Sequence, residues 1–194
     1  MALNPSSKQL IEKIYIAFEN VNYPGDKNII NNPGRGCLEH DETEAFFKGK
    51  TWKDLTKPDV SLPVNYADMN FLSSAAWRYY LPAYLIQALT DISDDTQQDA
   101  QQHLVFMLTR LQKHVVFQLT PPELYSHTNE IDPALIKNFK ELTDSLSIEQ
   151  SSIIAQFLEL QRSEFPDDYA DDIEFQSLNR IINYWKNKAK QSVS

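Results

Sequence analysis

Apolar positions along the chain recur mostly at three- and four-residue intervals, the signature of helices with one buried face. Leu10, Ile11, Ile14, Ala17, Phe18 and Val21 form the first such stripe, which predicts a helix over 6–22 capped by Ser6 and Ser7. A short helix is expected from His40 to Lys48, with Asp41, Glu42 and Glu44 near its positive end and Gly49 as its stop. Residues 50–71 hold two prolines and little periodicity, so they read as an extended connection wrapped on the surface. Ser73 or Ser74 then opens the most aromatic helix, with Trp77, Tyr80, Leu81, Tyr84, Leu85 and Ala88 on one face. Arg78 and Tyr79 lie off that face. Pro82 removes a hydrogen bond and displaces the carbonyl of Arg78, which predicts a kink or a break into two helices.

The second half continues in the same way. Residues 93–99 read as the cap of a helix carrying Leu104, Leu108, Leu111 and Val115, although HVVFQL (114–119) is β-branched enough to suit a short strand. Thr120-Pro121 and Asp132-Pro133 both look like a cap followed by proline in the first helical position. Ser147-x-x-Gln150 and Asp171-x-x-Glu174 are capping boxes ahead of two further stripes. These signals predict an all-α chain: a single-domain bundle of about seven helices, with a long N-terminal loop and at most a minor β element. The motif-bearing half is 6–90 and the helical C-terminal half 91–194.

Composition changes this picture little. A chain of 194 residues is long enough to bury a sizeable core as one domain. One cysteine makes no internal disulfide, the N-terminus has no signal-peptide pattern and no apolar run is long enough for a membrane span. The expected setting is therefore the cytoplasm, with no membrane partner. The net charge of −9 argues against nucleic-acid binding and suits a basic protein partner; the oligomeric state stays open.

One stretch stands apart. Residues 22–42, NYPGDKNIINNPGRGCLEHDE, hold three of the four glycines, the only cysteine and one of four histidines. Pro24-Gly25 is a strong turn signal. Gly49-Lys50-Thr51 copies the end of a phosphate-binding loop, but Glu44 stands where its first glycine belongs and the intervening AFFK reads as helix. Gly34-Arg35-Gly36 has no third glycine in register. Cys37-x-x-His40 is half of a zinc site without a second half, and the surrounding acids disfavour a catalytic thiolate. His103 and His114 would stand about 16 Å apart on one helix, too far to share a metal. The acids of 165–174 lack the glycine and spacing of a calcium loop. Neither a metal nor a cofactor is expected, and no residue is marked as catalytic.

IAFENVNYPGDKNII and FLSSAAWRYYLPAYLIQAL, over about residues 8–90, resemble a family of uncharacterised bacterial proteins, a domain of unknown function. The resemblance implies a bacterial origin and carries no catalytic residue.

The residues therefore favour a binding role over an enzyme. The first expectation is a protein-interaction module that uses its acidic surface and the 22–42 loop, with Tyr23, Asp26, His40, Arg78 and Tyr79 as the contact residues. Arg78 pairing with Asp26 to pin the loop is the structural alternative. The other readings are an enzyme centred on Cys37 and His40, and a small-ligand sensor with an aromatic pocket beside Pro82.

Overall fold

The computed structural model describes residues 4–31, 38–63, 68–90, 110–124, 131–163 and 173–191. Cys37, Gly34-Arg35-Gly36, residues 93–99, Leu104, Leu108, His103 and the Asp171 capping side chain lie outside the described residues. Eight α-helices are assigned among them: α1 (Pro5–Phe18), α2 (Leu38–Phe47), α3 (Asp68–Phe71), α4 (Ser74–Thr90), α5 (Arg110–Gln118), α6 (Pro133–Asp144), α7 (Ile148–Ser163) and α8 (Ile173–Lys188). The β content among the described residues is one isolated antiparallel bridge, Ile30 to Leu72. The fold is all-α.

Local signals placed several helix ends. Asp132 caps α6, accepting from the Ala134 amide, with Pro133 in the first turn. Ser147 and Gln150 form the expected reciprocal box, 3.1 Å in each direction. Gln150 also donates Nε2 to the Ala17 carbonyl, so the cap of α7 ties down the end of α1. Gly49 ends α2 at φ 70°. Two ends differ from expectation. The cap of α1 is Asn4, which accepts from the Ser6 amide ahead of Pro5, while Ser7 is buried; the helix stops at Phe18. Thr120-Pro121 starts only a 3-10 turn, Pro122–Leu124.

The largest corrections concern elements whose surroundings differ from what their own sequence suggests. Of the two readings left open for HVVFQL the helix is the one found, through Gln118, with Leu111, Val115 and Leu119 on one buried side. Residues 50–63 and 68–71 are not a surface wrap: Trp52, Leu55, Leu62 and Met69 are buried. Gln87 of α4 fastens that segment by donating to the Leu55 and Val60 carbonyls at 2.6 and 2.7 Å. Nor does Pro82 break its helix, since α4 runs on from Ser74 to Thr90. Eleven of its residues are buried, Tyr79 among them, so α4 has no solvent face of any width. A helix apolar on all sides belongs in the middle of a core, and α4 packs on α1, α5 and α6. On the far side α7 lies between α1 and α8.

Candidate functional site

The turn at Pro24-Gly25 sets the first cluster. Gly25 has φ 84°, where a side chain would be strained, and the chain turns there into a 3-10 turn at Asp26–Asn28. That folds Asp26 back on Tyr23, whose hydroxyl donates to Asp26 Oδ1 at 2.5 Å. The Gly49 amide, just beyond α2, donates to both groups, at 3.0 and 3.2 Å. The Tyr23 ring meets Tyr79 edge-on at 5.4 Å, and Tyr79 meets Tyr80 at 4.9 Å. The Tyr80 hydroxyl donates to the carbonyls of Phe47 and Lys50. Beyond the turn, Ile29 and Ile30 are buried and residues 29–31 bond to 71–73.

Three of the five expected contact residues, Tyr23, Asp26 and Tyr79, therefore come together, with Asp26 exposed, Tyr23 half-buried and Tyr79 buried beneath them. Tyr79 is 5% exposed, which corrects its placement off the apolar face of α4. Asp26 is bonded to Tyr23 and Gly49, and no ion pair joins it to Arg78 among the described residues. Arg78 is half-buried, its Nε closed off without a partner among the described residues. His40 lies apart, stacked on Phe71 at 4.2 Å. Phe47 meets Tyr80 at 4.5 Å, so ring contacts tie the two ends of α2 to Phe71 of α3 and Tyr80 of α4. No group of three or more potential metal ligands occurs among the described residues.

The three stacked phenols share one electrostatic property. Burial, reinforced by the Asp26 hydrogen bond, raises the pKa of Tyr23. Burial does the same for Tyr79, and for Tyr80 it acts most strongly, with the neighbouring phenols adding to it. A raised folded-state pKa means that the unfolded chain releases its proton first. This contribution to stability is complete below about pH 10, the ordinary phenol value, and is lost as pH climbs towards the folded-state values. Ultraviolet titration should therefore show the buried Tyr79 and Tyr80 ionising above about pH 10 alongside a loss of stability, with Tyr23 ionising later than a free phenol. Titration of all nine tyrosines near pH 10 with circular dichroism unchanged would contradict this.

A second site was not legible in the sequence. The stripe of α6, Leu135, Phe139 and Leu142, is shared between two neighbours. Phe139 packs on the rings of Tyr184 and Trp185. Together with Leu135 and Leu142 it also lines a cavity of about 490 Å³, walled as well by the end of α5 and the start of α4. Its floor is apolar, with Met69 and Leu72 buried. At its mouth Phe117 is 44% exposed and Leu135 50%. Its polar lining includes Asn31, Asn138 and Gln118, and its one charged residue, Glu141, pairs with Lys137 at 3.8 Å. Gln118 is only 8% exposed, and its Nε2 has no hydrogen-bond partner among the described residues. The α6 stripe could be read from spacing, but not that Leu135 at its start is left exposed while Phe139 and Leu142 pack on the core.

No described helix is long and apolar enough to cross a membrane. Neither a curated protein nor a solved structure matches the chain. A family model does match, over residues 7–189, and so extends through both helical halves rather than stopping near residue 90. With nearly the whole chain covered, from α1 to the end of α8, this protein belongs to the family of unknown function DUF6714.

Proposed function

We propose that this protein is a protein-interaction module whose contact surface is the groove along α6. The 22–31 turn, by contrast, spends its polar groups on holding α2 and α4. The observation that carries this reading is the pair of large apolar side chains, Phe117 and Leu135, at the mouth of a groove with a buried apolar floor. Scattered exposed apolar residues mean little, but anchors beside a pocket are where binding energy concentrates. The net charge of −9 favours a basic partner, whose approach it would accelerate at low salt. The partner class and the cytoplasmic setting are part of the same proposal.

Leu135→Glu tests it. The side chain is half-exposed, so stability should change by no more than about 0.5 kcal/mol. A partner captured by the wild-type protein from its source cells should bind the variant at least about thirtyfold more weakly, or about 2 kcal/mol. Equal capture by the two proteins would overturn the assignment.

A further inference from the structure

We propose that the α6 groove takes an extended, uncharged peptide segment with apolar side chains, and pairs its backbone with the side-chain amides of Gln118, Asn31 and Asn138. This rests on the groove being the contact surface, and it names what that surface reads.

The lining carries the argument. Its chief polar groups are amides, Asn31 among them already donating to the Asn70 carbonyl, and its one carboxylate, Glu141, stands in an exposed ion pair with Lys137. Such a lining holds no basic residue for an anionic ligand and one carboxylate at most for a cation, so the basic groups of the partner would lie outside the groove. A side-chain amide carries one carbonyl and one NH2, so it can donate to a peptide C=O and accept from a peptide N–H at once. Gln118 brings the unmet demand. It is more than nine-tenths buried, and its Nε2 donates to nothing among the described residues. Because the last torsion of a glutamine is soft, the amide can turn to an arriving carbonyl without leaving its place in the wall.

Backbone state separates an extended segment from a helical one. A docked helix has already paired its backbone groups internally and presents side chains alone. Amides in the wall would then gain nothing from it. An extended segment arrives with free N–H and C=O groups. The dimensions agree. Leu135 and Leu142 are seven residues apart on α6, about 10 Å at 1.5 Å per residue. That is the length of about three extended residues. Asn138, exposed on the same face, stands between them. Phe117 and Leu135 would take the segment's apolar side chains.

The test uses the full-length 15N-labelled protein and three synthetic probes. The first is the blocked peptide acetyl-Gly-Leu-Gly-Phe-Gly-amide. The second is the same peptide with its backbone nitrogens methylated, and the third carries lysine in place of Leu and Phe. The first probe should shift the side-chain amide resonances of Gln118, Asn31 and Asn138 in a saturable way. Backbone methylation and the lysine replacement should each weaken binding at least tenfold. Gln118→Met, which keeps the shape, and Asn138→Leu, at an exposed position, should each weaken the first probe about tenfold with an otherwise native spectrum. Equal binding of the methylated or the lysine peptide would overturn the proposal. So would the absence of any shift while Leu135→Glu still abolishes partner capture, and in that case the groove would remain the contact surface. No shift together with unaffected capture would remove both readings.

Discussion

Alanine at both Tyr23 and Tyr79 is expected to lower the melting temperature by about 10 °C while leaving partner capture by the folded protein unchanged. Tyr79 is 5% exposed and wedged between the rings of Tyr23 and Tyr80. Truncating a buried aromatic side chain costs about 3–5 kcal/mol. Losing Tyr23 adds a smaller amount, because it takes one partner from Asp26 and one from the Gly49 amide. The two rings touch, so the costs will not simply add. A combined loss of about 4 kcal/mol is a large share of the 5–15 kcal/mol that holds a typical domain together. Thermal unfolding followed by circular dichroism, alongside capture below the transition, checks both halves. A stable double variant that had lost its partner would return the binding surface to the 22–42 loop.

Trp185→Ala should be comparably damaging, at about 4–5 kcal/mol. The ring is wholly buried on α8, between the end of α5 and the stripe of α6. Its Nε1 donates to the Leu119 carbonyl at 2.8 Å, so truncation opens a cavity and also orphans a buried acceptor. Trp185→Phe separates the two effects, since it keeps most of the apolar volume. It should cost about 1–3 kcal/mol, the penalty for the unpaired carbonyl. Denaturant unfolding of the two variants measures both. A neutral Trp185→Ala would mean that α8 adds little to the core.

These expectations also mark where sequence reasoning succeeded and where it stopped. Helix starts that depend on a few neighbouring residues were legible. Asp132-Pro133 capped α6, Ser147 and Gln150 closed their box, and Gly25 and Gly49 took the positive φ values that their turns require. Each is a bargain between a side chain and a backbone two or three residues away. The all-α class followed from the same short-range periodicity.

What lay beyond those ranges was decided by packing. Nothing near Tyr79 in sequence says that Tyr23, fifty-six positions earlier, covers it. Residues 50–63 look like solvent-facing linker until Gln87 reaches across to their carbonyls. Pro82 weakens one turn of α4, yet burial on every side keeps that helix in one piece. The stripe of α6 shows the limit most clearly. Its spacing says that Leu135, Phe139 and Leu142 share a face, and only the arrangement of α4, α5 and α8 decides which of them is covered. By itself, then, the sequence determined the helical class, the caps of α6 and α7 and the two glycine turns, because those depend on contacts a few residues long. The tertiary structure alone decided that Tyr23 of the loop covers Tyr79 of α4 and that Leu135 of α6 is left exposed, because burial is a property of neighbours brought together from distant parts of the chain.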